Sequence, residues 1–188
     1  MEIKGRQLDF IEETHTYLVD GKEVESVTQL ISRLFPDKYK GIDPTVLKKA
    51  AERGTQIHKA IEAYCKGFDD GSDEVRNFNF LRKHYGFVPL ENELPIILDF
   101  GGKTYAGTLD LLLKMDNRIS VADVKTTITL DKNYLGYQLN LYKLGVEQSY
   151  DYKIDDLYGL HIREDIRKMV RIPVVTEEQL YESMKEIL

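Results

Sequence analysis

Two apolar-rich runs, Leu109–Met115 (LDLLLKM) and Arg118–Val124 (RISVADV), flank Asp116-Asn117, and this pairing constrains the fold more than any other feature of the chain. A two-residue turn of that kind closes an antiparallel hairpin. Partners across it are then positions whose numbers sum to 233, so Met115 faces Arg118 and Asp110 faces Asp123. Cβ atoms directly across an antiparallel pair lie about 4.5–5.5 Å apart, and like charges placed there repel. Lys125, two residues beyond Asp123, projects from the same face, and Leu112 and Val121 continue that face toward a core. Such a trio is poor structure by itself. It suits a divalent cation with a lysine beside it.

The chemistry that wants this set is phosphodiester hydrolysis. Mg²⁺ takes oxygen ligands in octahedral array, typically one or two carboxylates plus substrate phosphate oxygens. A metal there would offset the Asp110–Asp123 repulsion, polarise a phosphate and lower the pKa of a bound water. A neighbouring lysine can orient or deprotonate that water, or stabilise developing negative charge. The sequence leaves those roles open. The competing reading is a hairpin with solvated charges on its outer face.

A length of 188 residues with 42% apolar and 31% charged content fits one soluble domain spanning 1–188. Within it, 1–43 forms a lead-in hairpin and short helix, and 44–188 the core. The opening MEIKGRQLDFIEE has no apolar h-region, so no secretory signal is expected. The longest apolar run is Leu94–Leu98, too short for a membrane span, and a cytoplasmic, intracellular location is expected. Cys65 is the single cysteine, which rules out an intrachain disulfide and a four-cysteine iron–sulfur or zinc site. The net charge of −6 runs against the basic footprint of nucleic-acid binders. Lys38, Lys40, Lys48, Lys49, Arg53, Lys59 and Lys66 cluster in one segment, however, and form either a phosphate-binding patch or a solvated helix face.

The chain carries no repeats or low-complexity tracts. Phe10–Val19 and Lys22–Val24 flank Asp20-Gly21, a hairpin signal. Ser26 or Thr28 caps a short helix reaching Phe35. Asp43-Pro44 opens a helix over 44–66, bent or broken at Gly54, and a further helix runs from Asp73 to Tyr85. Strands follow at about 91–99, 102–114 and 118–126, then a helix from Asp131 to about 147. A second hairpin covers Asp156–Arg163 and Ile166–Val174, and Thr176-x-x-Gln179 is a capping box opening the last helix. The fold class is α/β: a central mixed sheet (three antiparallel strands, a helix, further strands) flanked by helices.

Two helical constellations join the hairpin. Thr55, His58 and Glu62 share one stripe at three- and four-residue spacing, with Ile57, Ala60, Ile61 and Tyr64 beside them. His58 therefore sits at the margin of a buried face, in reach of a metal or a phosphate. Tyr134, Gln138 and Tyr142 share another stripe, next to Leu135, Leu139 and Val146. Gln138 can hydrogen-bond a phosphate or the lysine, and Tyr142 can stack on a base. The bland readings are a boundary histidine and core-edge aromatics.

In order, Gly54-Thr55-x-x-His58, Glu93, Gly107-Thr-x-Asp110, Asp123-Val-Lys125 and Gln138-x-x-x-Tyr142 resemble the PD-(D/E)XK nuclease superfamily over roughly residues 50–145. The nearest branch is the RecB-like and phage-type exonucleases, with the mitochondrial genome maintenance exonuclease as a relative. Tyr17-Leu-Val-Asp-Gly21 with Ser26-Val-Thr28 is similar to the lead-in of the phage and mitochondrial type. The resemblance implies a restriction-endonuclease-like core. It implies Asp110 and Asp123 as metal-binding acids, the main-chain carbonyl of Val124 and His58 as further ligands, and Lys125 as the catalytic lysine. Gln138 and Tyr142 match a motif that acts beside the active site and the DNA. Glu93 matches an acidic position on the first core strand, and Thr55 and Glu62 complete the DNA-binding or supporting set. Leu109 stands where the signature has proline, and the cysteines of an iron–sulfur cluster are missing.

The expected function is a Mg²⁺- or Mn²⁺-dependent DNA nuclease, more specifically an exonuclease of phage or bacterial recombination and repair. Its partners are DNA and either a second copy or a recombination protein, with no membrane. The alternatives are a structure-specific or nicking endonuclease, a silent nucleic-acid-binding module on the same fold, and an acidic DNA-mimicking scaffold or inhibitor subunit.

Overall fold

The Asp116-Asn117 turn closes where the sequence places it. In the computed structural model, which describes residues 1–188, β6 (Lys103–Met115) and β7 (Arg118–Lys125) are antiparallel, with Met115 opposite Arg118 and Leu112 opposite Val121. Asp116 takes the left-handed conformation, φ 54°, that a tight hairpin turn demands. Upstream lie β1 (Glu2–Ile3), β2 (Arg6–Ile11), β3 (Thr16–Val19), β4 (Lys22–Ser26), α1 (Val27–Ser32), α2 (Pro44–Cys65), α3 (Asp73–Tyr85) and β5 (Val88–Phe100). Downstream lie α4 (Lys132–Ser149), β8 (Asp156–Ile162), β9 (Arg167–Ile172) and α5 (Glu177–Met184). The protein is α/β, a mixed nine-stranded sheet flanked by helices.

β6 is the axis of the sheet. One of its edges pairs with β5 along nearly its whole length. The other edge is shared: β4 runs parallel to it at Tyr105 and Ala106, and β7 runs antiparallel from Leu111 to Met115. Residues 107–110 lie between those two partners and form a fork in the sheet. Beyond the fork β7 pairs in parallel with β8, a connection that requires a crossover, supplied by α4.

The helices form two layers. α1, α4 and α5 cover one face through Leu30, Ile31, Leu135, Leu139, Val146 and Leu180, against Leu112 and Val121 of the sheet. α2 and α3 cover the other through Ile57, Ile61, Phe78 and Leu81, against Leu111, Leu113, Ala122 and Val124. Strand alternation puts residues of one parity on one face, yet Tyr105 and Leu109 pack with Leu112, whereas Leu111 packs opposite. The parity therefore switches at Asp110. Across from it, Glu93 interrupts the β5–β6 ladder with φ 49°.

Several boundaries depart from the sequence reading. The expected strand over Phe10–Val19 is broken at residues 12–15, where His15 is left-handed. Ser26, not Thr28, caps α1 through a reciprocal capping box with Gln29. The helix stops at Ser32 instead of Phe35 because Arg33, Leu34 and Phe35 switch to tighter three-residue bonds ahead of Pro36. α2 runs unbroken through Gly54, beside the loop after β7 and with room for a side-chain carbon. A Cβ there would lie 3.6 Å from Thr126 Oγ1. No helix is long and apolar enough to cross a membrane.

Candidate metal centre

The fork collects the charged residues. Pairing of β6 with β7 ends at Leu111 and Ala122, one position short of Asp110 and Asp123. Freed from the ladder, Asp110 turns its carboxylate onto the next backbone donor: Val124 N–H donates to Oδ2 at 2.7 Å. Its Oδ1 lies 3.4 Å from His58 Nδ1. The same ring nitrogen is 4.0 Å from Glu93 Oε1, while Nε2 contacts the Val124 carbonyl at 3.0 Å. Donor atoms of His58, Glu93 and Asp110 all fall within 4.8 Å of one another, a group able to hold a metal ion. His58 gets there because α2 seats Ile57 and Ile61 in the core, which sets the adjoining stripe at the sheet.

Asp123 belongs to the other side of the fork. It is 2% exposed and forms an ion pair with Lys125 Nζ at 2.6 Å. Its Oδ2 lacks a well-aligned hydrogen-bond donor, as does the buried Oε1 of Gln138 on α4. The sequence pairs Asp110 with Asp123 as metal acids; the structure gathers Asp110 with His58 and Glu93, and Asp123 with Lys125. The Val124 carbonyl, expected as a ligand, is engaged by His58.

The fields follow from these distances. Burial works against a charged His58, but Asp110, Asp123 and Glu93 outweigh it and push its pKa up to about 9. Burial and the Asp110 charge raise Glu93 to about 7, and the same two causes raise Asp123 to about 6. Burial would also raise Asp110, but His58, Lys125 and the Val124 N–H hold it below the usual carboxylate range. Lys125 is shifted upward: burial opposes its charge, and Asp123 and Asp110 overcome that. It is an ammonium.

The remaining expected residues fall at different distances from the centre. Glu62 lines the concavity with His58, Asn92, Glu93 and Asp110, and is paired with Lys66. Tyr142 is buried with its ring against Gly107. Thr55 is exposed and spends its hydroxyl on the Ala51 carbonyl, one turn back along α2. In the basic segment, Lys38, Lys40, Lys48, Arg53 and Lys66 are all paired with acids. Lys49 and Lys59 alone keep free charges.

Some contributors leave no local trace in the sequence. Tyr17 OH bonds Thr108 Oγ1 at 3.0 Å across the fork, where the lead-in meets β6. His161 and Arg163 hold the carbonyls of Thr127 and Thr126, fixing the loop after Lys125. Such contacts depend on the pairing of distant strands. Only the Tyr17 lead-in pattern hints at one of them.

No protein-family profile and no curated protein matches the sequence. Among solved structures, the chain is similar to the crystal structure of SSO0001, with a TM-score of 0.52 at 16% identity over 87% of this chain and 74% of that one. A provisionally named exonuclease from Eubacterium rectale aligns with a TM-score of 0.39 at 15% identity, over 89% of this chain and 66% of that one. The first shares the fold, and the second is too distant to argue from.

Proposed function

We propose that the chain is a divalent-metal-dependent nuclease that hydrolyses DNA phosphodiester bonds, an exonuclease of the PD-(D/E)XK type with a restriction-endonuclease-like core. One juxtaposition carries the reading: His58, Glu93 and Asp110 converge within 4.8 Å at the fork, beside the buried Asp123–Lys125 pair at 2.6 Å. An imidazole with two carboxylates suits a divalent cation. The buried Gln138 Oε1 has no donor and is an acceptor left for a hydrated ion or a substrate, while Asp123 Oδ2 is held by Lys125. Bound there, Mg²⁺ or Mn²⁺ would polarise a phosphate oxygen and lower the pKa of a bound water.

The chain's own residues take the following roles. His58 contacts the Val124 carbonyl through Nε2, which orients the ring and leaves Nδ1 facing the acids. Lys125, paired with Asp123 beside the cluster, is placed to donate to the negative charge that develops on the phosphate. Gln138 and Tyr142 shape the wall of the site from α4, and Glu62 and Thr55 border the strand's approach along α2.

The test uses end-labelled linear DNA and closed circular single-stranded DNA, each with Mg²⁺, Mn²⁺ or EDTA. Digestion of the linear DNA with metal, and sparing of the circle, is the expected result. Linearised circles would make the protein an endonuclease, and no cleavage with either cation would overturn the reading.

A further inference from the structure

A second concavity, of about 410 Å³, opens on the flank of the metal centre between the C-terminal turn of α2 and the first residues of β5. Tyr64, Cys65, Asp69, Arg82, Val88 and Pro89 line it. The two concavities share their supports: Glu62 and Glu93 face the metal centre, Cys65 and Pro89 face the second pocket. His58 and Cys65 are seven residues apart on one helix, about 10 Å at 1.5 Å per residue.

Arg82 dominates this pocket. Its Nε is buried and has no partner, and no carboxylate lies within ion-pairing distance of the guanidinium. Its Nη2 makes only long bonds, at 3.3 Å to Asn79 Oδ1 and 3.4 Å to the Tyr64 hydroxyl, both neutral. The one acid on the rim, Asp69, accepts from its own loop at Gly71 N. A guanidinium presents a planar fork of donors matched to two oxygens of one anion. A guanidinium with no charged partner and a free Nη1, in a pocket of mixed polar and apolar lining, can receive such a group.

We infer that this pocket is a phosphate subsite for the strand engaged at the metal centre, with Arg82 gripping a backbone phosphate away from the scissile bond. The inference rests on the nuclease reading proposed above. Tyr64 holds the guanidinium in place, its ring centre 5.6 Å from Cζ. Val88 and Pro89 supply an apolar wall for the sugar.

The test is DNA binding by fluorescence anisotropy across a salt series, in Ca²⁺, with the strand checked intact afterwards. Arg82→Gln should weaken binding about tenfold, as for loss of one charge-assisted bond. It should also lower the slope of log affinity against log salt by about 0.7 for single strands or 0.9 for duplex. Arg82→Lys should keep most of that slope. Asp69→Asn should bind more tightly, because a rim charge that repels phosphate is gone and the amide oxygen still accepts from Gly71. An unchanged slope in a folded Arg82→Gln protein overturns the subsite. Should Arg82→Gln unfold, an unchanged affinity in Asp69→Asn does so instead. Calorimetry with inorganic phosphate separates the sources: phosphate binding that needs Arg82, with an unaltered DNA slope, overturns the strand subsite in favour of a free-phosphate site. If the unmodified protein shows no salt-dependent DNA binding at all, the nuclease reading itself fails.

Discussion

His58 is held between a carbonyl and two carboxylates, and that position makes the metal-free protein sensitive to alkali. His58, Glu93 and Asp123 all have raised folded-state pKa values, at about 9, about 7 and about 6. A group that binds its proton more tightly when folded adds stability in full below its unfolded pKa and loses it as pH rises through the folded value. In EDTA, the urea midpoint should therefore fall from about pH 6 to about 9, and saturating Mn²⁺ should reverse the trend, since metal binding requires deprotonated ligands. A midpoint that climbs over that range in EDTA contradicts the arrangement. Asp110, shifted downward, titrates at lower pH and leaves this window untouched. Lys125→Ala separates charge stabilisation from metal assembly. Calorimetric Mn²⁺ affinity should persist while cleavage falls about 10²–10³-fold, as for other lost charge-stabilising donors. Much of this residue set is legible in the sequence, because hairpin register and helical spacing are local rules. Glu93 as a partner of His58 is not, since it depends on a left-handed residue opposite a parity switch.

The elements were legible where local chemistry closes them. Ser72 and Asp131 cap α3 and α4, Gly86 ends α3 in a left-handed turn, and Thr176 with Gln179 closes the box of α5. Pattern alone misjudged two others: α1 halts early, in tighter bonds ahead of Pro36, and α2 continues through Gly54 without a break. The close approach of α4 to the fork is the element-level feature most open to test. A Cβ on Gly107 would lie 3.0 Å from Tyr142 Cε1 and 3.3 Å from its hydroxyl. Tyr142 is buried and has little room to yield. Gly107→Ala should cost about 1–3 kcal/mol by overpacking, and should lower cleavage more than thermal stability alone explains, because it pushes on the wall beside Asp110. Chemical denaturation and rate measurements on the same preparation check both parts.

At the scale of the molecule, the sheet is tied at one edge by a charge hub and divided elsewhere by the fork. Asp156 on β8, 2% exposed, is gripped by Arg118 of β7 and Arg171 of β9, which hold its carboxyl below the usual range. A lowered carboxyl contributes stability above its unfolded pKa and loses it as pH falls through the folded value, so this hub weakens on the acid side, opposite to the metal centre. Asp156→Asn should cost about 1–3 kcal/mol, read from urea midpoints at neutral pH, and the difference from the parent should shrink in acid. This architecture was only half visible beforehand. The order of helices and strands follows from pattern, but nothing local tells β4 to join β6. That junction has a mechanical consequence. Only Glu25 and Ser26 of the first sheet segment register against β6, so β1–β4 join the rest by a two-residue seam, a small apolar patch around Tyr17 and Ile97, and the side-chain ties of Arg6 to Asp99 and Tyr17 to Thr108. Like a flap hinged on a short stitch, this segment should lift as one cooperative unit ahead of global unfolding. Its amides would then exchange together and first, and each lift would carry Tyr17 off Thr108 and bare one wall of the fork to solvent.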